Sequence, residues 1–424
     1  MPGRKVNDVD QRTAKYVIIG GSAAGMTAAH TIRARDPGSS ITVLSDEPDM
    51  PYYRPLIPYV VSGKKSVREM ALHGCGPYTG TDIRVETDSR VTSVDTEAKT
   101  VFVENGGSVQ YGKVLFATGS RAFIPPDIEG IETPGVFALR KLLDAREMHK
   151  RAAQTSHAVL LGGGLLNLKA AFALLERGLE VTLVVYSPEV LSQLMEPRDA
   201  APVREALDDA GLKIRTGAAA VAVESDSDGV AGVLLDDGSE IACRMVCIGK
   251  GVRPNVEFLE TSGIVLDSGI VADACTACSR PDTFTAGDVA VTHDPISEDR
   301  VMTALWTNAV EMGRCAGLNM AGVQTAYAGT FGILNATQIA RLPFVSMGVV
   351  HTSGLDCEVH RHRSRGSYRK MVFSPDGARL VGMVLIGDIR NAGLYRHVIR
   401  ERMEVSHIKR QIIDHSLHGG HFFR

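Results

Sequence analysis

The strongest constraint on this chain is one local pattern that occurs twice: an apolar run, a glycine-rich turn, then a helix-compatible stretch. It reads YVIIGGSAAGMTAAH over residues 16–30 and AVLLGGGLLNLKAAF over residues 158–172. A strand that runs through small residues into a helix leaves backbone N–H groups pointing out of the helix N-terminus, where they can receive a pyrophosphate. Two such units imply an α/β protein with two Rossmann-like domains, each a candidate dinucleotide site.

Composition narrows the class. The 424 residues are too many for one core and suit several domains. With 44% hydrophobic and 22% charged residues the chain has the profile of an ordinary soluble globular protein. A net charge of −3 gives no bulk attraction to nucleic acid. The polar N-terminus lacks the apolar segment of a secretory signal. The most apolar stretch, residues 158–175, is interrupted by Gly162, Gly163, Gly164, Asn167 and Lys169, so no membrane span is expected. Seven cysteines, an odd number, argue for reduced thiols and a cytoplasmic location. None forms the closely spaced run that an iron–sulfur cluster needs, so such a cluster would belong to a partner, and no metal site is expected in this chain.

Along the chain we expect a flexible leader over 1–14, a first nucleotide domain over 15–125 and 271–322, a second over 126–270, and a C-terminal α+β interface domain over 323–424. In the first unit a helix runs to about Arg35, a strand covers 40–44, a meander of short strands follows near 83–103, and a buried strand returns at 114–120. The second unit repeats this order from about His157, with a strand EVTLVVY, a helix near 200–210 and a strand MVCIGKG. A helix over 304–321 precedes the C-terminal module, which carries the basic run HRHRSRGSYRK over 360–370 and a helix over 391–404.

The first turn keeps Gly20 and Gly25, the outer glycines of the dinucleotide pattern, around Ser22, Ala23 and Ala24. Gly20 permits the tight turn and Gly25 permits close packing of helix on strand. Asp46 and Glu47 lie just past the second strand, where a ribose hydroxyl is held. The second turn presents Gly162, Gly164 and Leu165 to a nucleotide, but Asn167 stands at the third glycine position. Val185 and Tyr186 occupy the strand end where a ribose-binding carboxylate is usual; no arginine stands beside it to take a 2′-phosphate, so NADH is expected over NADPH. Cys275 and Cys278 form an isolated CxxC, read as two incidental thiols in a loop. His360 and His362, inside the arginine-rich run, read as a solvated face or, more sharply, as part of a docking surface on which Arg361, Arg363, Arg365, Arg369 and Lys370 attract an acidic redox partner. His415, His418 and His421 read as a flexible tail.

Two further segments, ATGS over 117–120 and AGD over 286–288, complete a set that resembles the pyridine nucleotide–disulfide oxidoreductase superfamily. The resemblance implies a glutathione reductase-like fold with FAD on the first domain and NAD on the second. By it Ala117, Thr118 and Gly119 border the flavin cofactor, and Gly287 and Asp288 meet its ribityl or pyrophosphate part. The helix after the AGD segment, with Trp306 in its first turn, points its positive end at the flavin, although core packing accounts for Trp306 equally well. The segment YYRPLIPYVVSGK over 52–64 and the stretch 368–395 are similar to the NADH:rubredoxin and nitrite reductase branch, with Arg54 placed to neutralise phosphate or stack on adenine. Lys169 stands where the family usually has an acid. The redox cysteine of the disulfide and peroxide reductases is replaced by residues 49–52, DMPY, and the only early thiol is Cys75. The chain is therefore expected to be an FAD-dependent oxidoreductase that exchanges electrons between NAD(H) and an iron–sulfur or rubredoxin-like protein. That role resembles the FAD subunit of a hetero-oligomer such as a tungsten aldehyde oxidoreductase. A free-standing rubredoxin or ferredoxin reductase, and an assembly subunit whose nucleotide does not turn over, stay open at this point. The cofactor carries the chemistry, so no side chain is assigned as catalytic.

Overall fold

In the computed structural model the described residues are 11–72, 82–104, 106–296, 298–330 and 334–423. Cys75 lies outside them. The first sheet is centred on the strand Gln11–Ile19, which runs parallel to Ile41–Leu44 on one side and to Ser108–Phe116 on the other, with Ile83–Glu86 beyond Ile41–Leu44. The far edge of Ser108–Phe116 is shared. Its first residues pair antiparallel with Thr100–Val103, and its last pair parallel with Thr283–Thr285, which carries the chain into the AGD segment. Both faces of the central strand are covered, as parallel sheets require. Tyr16 and Ile18 pack with Ala28, Ile32 and Met312, while Val17 and Ile19 pack with Val94, Val101, Leu259 and Ile270.

The strand Gln11–Ile19 begins inside the expected leader, because residues 11–14 pair with Ser108–Tyr111 and Ala14 is buried. The helix Ala23–Arg35 follows the first turn and lies against the helix Trp306–Met320. Their approach is close because the second helix presents glycine: a Cβ on Gly313 would sit 2.2 Å from the Ala24 carbonyl oxygen, and one on Gly317 2.8 Å from that of Ala28.

The second sheet is parallel throughout, in the order Lys213–Thr216, Glu180–Val185, His157–Leu161, Met245–Ile248, Val136–Phe137, and a three-stranded meander over 220–242 accompanies it. The two units are joined where Ser120–Ala122 pairs antiparallel with Val252–Pro254. The return crossing comes earlier than the boundary expected at 270. Leu259, Ile264 and Ile270 already belong to the core of the first domain.

The C-terminal module is a five-stranded antiparallel sheet, Asn335–Ile339, Leu342–Gly348, Leu380–Ile386, Ser367–Phe373, Glu358–Ser364, with the helices Ala392–Arg400 and Lys409–Ile413 on one face. Met383 and Leu385 pack on that helical side with Tyr395, Val398 and Ile412. Phe344, Val384 and Ile386 face the other way, into a core shared with Leu194, Ala200 and Val203 of the second domain. A buried ionic cluster reinforces this join. Lys370, with no exposed surface, donates to the Val350 carbonyl at 2.7 Å and lies 3.1 Å from Glu196 and 3.3 Å from Asp199. Arg361 pairs with the same two carboxylates, Tyr368 donates to Asp199, and Thr352 donates to Glu196 through both its backbone N–H and its hydroxyl.

This arrangement corrects the docking expectation at Lys370, which is interior, and at Arg369, which is half-buried and donates to the Ile413 carbonyl; Arg361, Arg363 and Arg365 stay exposed, with Arg363 paired to Glu205 at the surface. The expected tail is corrected too: the His415 side chain is 5% exposed and bonds the Tyr395 hydroxyl at 2.9 Å. Among the described residues no helix is long and apolar enough to cross a membrane.

Candidate functional site

The two glycine turns are built on one plan. In each, the strand ends, a glycine with positive φ turns the chain, and that glycine lies against a second loop leaving the neighbouring parallel strand. Gly20 has φ +116°, and a Cβ there would sit 2.0 Å from the Ala117 carbonyl oxygen; Gly162 has φ +110°, and a Cβ there would sit 2.4 Å from that of Gly249. Residues 117–119 and 249–251 are thus structural counterparts, each ending on a positive-φ glycine, Gly119 and Gly251. The ATG segment is tied to the return crossing: Thr118 Oγ1 donates to the Asn255 carbonyl at 2.8 Å, and Asn255 Nδ2 returns a bond to the Thr118 carbonyl at 3.0 Å.

At the first turn the third glycine has a packing reason, since a Cβ on Gly25 would lie 1.9 Å from the Gly20 oxygen. Ser22 is the N-cap of the helix but makes no side-chain capping bond, and Ala23 and Ala24 are buried behind it. At the second turn the corresponding residue is Asn167, 1% exposed. Its amide Nδ2 donates to the carbonyls of Leu161 at 2.8 Å and Gly162 at 2.9 Å. The side chain occupies room left by Gly249, whose hypothetical Cβ would meet it at 2.3 Å. Gly164 caps the helix Leu165–Leu175 with an ordinary φ of −78° and has nothing within 4 Å of its missing Cβ. Neither backbone strain nor packing within the chain calls for glycine there, so its smallness suits the close approach of something from outside. Lys169, one turn further on, is half-buried, and burial pushes its amine down.

A polar network connects the remaining candidates. Glu47, 8% exposed, accepts from the Tyr52 hydroxyl at 2.7 Å and from the Arg54 guanidinium at 2.6 Å. Its neighbour Asp46 faces solvent and pairs with Lys141 at 2.7 Å. Arg54 also donates to the Arg140 carbonyl at 2.8 Å, so its orientation is set from two sides. Asp288 accepts from Arg140 Nη2 at 2.6 Å and from Ser120 Oγ at 3.0 Å, beside Gly287 with φ +85°.

Arg140 and Ser120 escaped the sequence reading. A signal was available for the first. Asp144 accepts from the backbone N–H groups of Arg140 and Lys141 and so caps the helix Leu142–Ala152, which places Arg140 at the start of that helix and aims it back toward the first domain. In the sequence the signal is Asp144 at the third helical position, three residues after the N-cap Lys141.

The residues present suit a flavin nucleotide. Trp306 opens its helix with its ring 5.7 Å from that of Tyr53. Two residues on, Asn308 is 7% exposed and its buried Nδ2 has no partner within the described residues, a donor available to a ligand acceptor at the positive end of a helix. Where a thiol would be needed for disulfide reduction, Asp49 is held by Arg146 at 2.6 and 2.9 Å. The CxxC is equally unsuited, because burial pushes the Cys278 thiol up to about 12, the opposite of activation.

Comparison with known proteins agrees with this geometry. The family model described as pyridine nucleotide-disulphide oxidoreductase matches residues 14–313. The chain is 29% identical over 409 residues to the NADH-dependent phenylglyoxylate dehydrogenase subunit epsilon of Aromatoleum evansii, covering 96% of each. It is 26% identical over 310 residues to a rubredoxin-NAD(+) reductase of Ectopseudomonas oleovorans, covering 73% of this chain and 80% of that one. Its fold is that of a ferredoxin reductase from Rhodopseudomonas palustris, with a TM-score of 0.84 at 24% identity over 92% of this chain and 96% of the other. With two nucleotide turns of one design and the ATG and AGD loops beside the first, the chain belongs to the pyridine nucleotide-disulphide oxidoreductase family.

Proposed function

We propose that this chain holds FAD on its first domain and NAD(H) on its second and transfers electrons between NAD(H) and an iron–sulfur or rubredoxin-type redox protein. Its setting is that of a flavin subunit in a larger hetero-oligomeric enzyme such as an aldehyde oxidoreductase. The observation that carries the reading is the pair of equivalent turns in one chain, with a carboxylate-bound arginine and, among the described residues, no cysteine beside the first. FAD, when bound, supplies the conversion between two-electron and one-electron transfer. The protein's part is to bind and orient. Gly20, Ser22, Ala23, Ala24 and Gly25 form the turn that receives the pyrophosphate, Asp46 and Glu47 stand toward the ribose, Ala117, Thr118 and Gly119 border the ring system, and Gly287 and Asp288 meet the ribityl chain. Arg54 and Arg140 bring positive charge to the same site, and Trp306 starts the helix whose dipole favours negative charge on the ring. Gly162, Gly164 and Leu165 hold the nicotinamide nucleotide. NADH is proposed over NADPH because no arginine stands unengaged at the strand end.

The names of two relatives support the partner class: one is a subunit of an NADH-dependent dehydrogenase, the other a rubredoxin reductase. The subunit reading draws on the first of these, which matches along nearly its whole length. A cytoplasmic location accords with the six free cysteines among the described residues. Anaerobic titration tests the proposal. NADH should bleach the flavin absorbance of the purified chain, and subsequent addition of an oxidised rubredoxin or ferredoxin should restore it. A flavin left oxidised by both NADH and NADPH contradicts the nicotinamide half, and a chain that cannot be loaded with FAD contradicts the whole.

A further inference from the structure

We propose that Tyr186 is the adenosine-recognising residue of the second turn, stacking on adenine in a site that presents neither carboxylate nor free cation to the nucleotide's 2′ position. The inference rests on the reading that the second domain holds NAD(H). Tyr186 is the first residue after the strand Glu180–Val185, which lies beside His157–Leu161 with Val184 opposite Leu161, so it emerges next to the turn that begins at Gly162. In the parallel sheet the strand order reverses between His157–Leu161 and Met245–Ile248, and a dinucleotide lies across such a reversal with its adenosine on the Glu180–Val185 side.

Among the described residues Tyr186, 76% exposed, is the most exposed large hydrophobic residue, whereas Val185 before it is buried against Gly163. The loop beyond is fastened elsewhere. Leu191 N–H donates to the Gly163 carbonyl at 2.9 Å, Ser192 Oγ donates to Ser187 Oγ at 3.1 Å, and Gly217 N–H donates to the Ser187 carbonyl at 3.3 Å. The ring is left as an open platform. Leu166, 40% exposed in the first turn of the following helix, adds apolar surface at the same turn.

The charged groups around the strand end are already engaged. Glu189 accepts from the Val190 N–H at 2.9 Å and from Arg204 at 3.4 Å, and Arg204 also pairs with Asp208. On the neighbouring strand Arg215, opposite Val184, pairs with Asp237. A 2′-phosphate therefore meets no repelling carboxylate and no welcoming guanidinium. Selection against NADPH comes only from the missing cation, and affinity comes from stacking, which is indifferent to the 2′ substituent.

The test is calorimetric binding of NAD+ and NADP+ to the FAD-loaded chain and to Tyr186→Ala, Tyr186→Phe and Tyr186→Glu, with flavin content measured in each. We expect NADP+ to bind wild type no more than about tenfold more weakly than NAD+. Tyr186→Ala should weaken both nucleotides by about tenfold or more, the scale of one base–aromatic stack, and Tyr186→Phe should recover that loss. Tyr186→Glu should weaken NADP+ more than NAD+. An alanine variant with both affinities unchanged, or a wild type that separates the two by more than about a hundredfold, overturns the assignment of Tyr186 alone. Failure of every variant and of wild type to bind either nucleotide, with flavin retained, overturns the reading of the second domain and this inference with it.

Discussion

At the first turn the helix sits directly on the strand, because Gly25 has no side chain to come between it and the Gly20 carbonyl. At the second turn a side chain fills the same position, and Asn167 donates to the Gly162 carbonyl and shares the Leu161 carbonyl with the Gly249 N–H. The comparison teaches that the third glycine of such a turn is one solution to a packing requirement and that a buried amide is another. The requirement does not vanish. It moves to Gly249, which must stay small to admit the amide. The middle position differs in the opposite sense, with Ser22 in the first turn and an unhindered Gly164 in the second.

The largest expected effect falls where the second domain meets the C-terminal module, away from the first turn. Lys370→Met removes the buried cation shared by Glu196 and Asp199 and leaves the two buried carboxylates to the part-exposed Arg361 and, for Glu196, Arg198, at a cost of about 3–5 kcal/mol. Thermal melts should show the loss, while flavin binding at the first turn persists below the transition. Gly20→Ala forces a Cβ to within 2.0 Å of a carbonyl at φ +116°, and should abolish FAD retention, read as the ratio of flavin to protein absorbance. Gly162→Ala should spare the flavin and abolish nucleotide binding; loss of flavin in both variants would break the independence of the two turns.

Smaller effects sharpen the account of Asn167. Replacing it by Leu strands the Gly162 carbonyl, while the Leu161 carbonyl keeps the Gly249 N–H, and should cost about 1–3 kcal/mol. Gly249→Ala should be severe in wild type and mild in an Asn167→Gly background, so the two substitutions must be strongly non-additive in denaturant unfolding. Additive costs would show that Asn167 and Gly249 do not answer to one another.

The smallest effect is one of pH. Burial alone would push Glu196 up, but the Thr352 N–H, Lys370 and Arg198 outweigh it and hold the carboxyl well below its ordinary 4.5. A carboxyl whose folded value is depressed stabilises the fold above the unfolded value and loses that contribution as pH falls. The stability of wild type should therefore decline below about pH 4.5, and part of that slope should be missing in Glu196→Gln.

Much of the site was legible from spacing. The glycines declare the turns because a positive φ next to a carbonyl admits little else, and the order of the ATG and AGD segments declares which unit is which. The partners of those segments were not legible. Asp288 could be recognised, but Arg140, more than a hundred residues away in the chain, meets it only because the second domain folds back over the crossing at Ser120–Ala122. Lys370 was misread for the same reason. In sequence it belongs to a basic run that looks solvated; in space its strand turns that side chain toward two acids of another domain. The early start of Gln11–Ile19 was hidden because Gln11, Arg12 and Thr13 are polar, and the strand there is specified by pairing with Ser108–Gln110.

By itself the sequence determined the local geometry: two strand–turn–helix units, their glycines, and the absence of a thiol at residues 49–52. Those features are set by the backbone conformations and short-range contacts that each residue type allows, so they can be read without knowing where the chain goes next. Only the tertiary structure decided which charges are interior, which domain owns residues 255–270, and why Asn167 can replace a glycine. Each of these depends on a partner distant in sequence, and burial turns a pairing that would count for little in water into one the fold cannot lose.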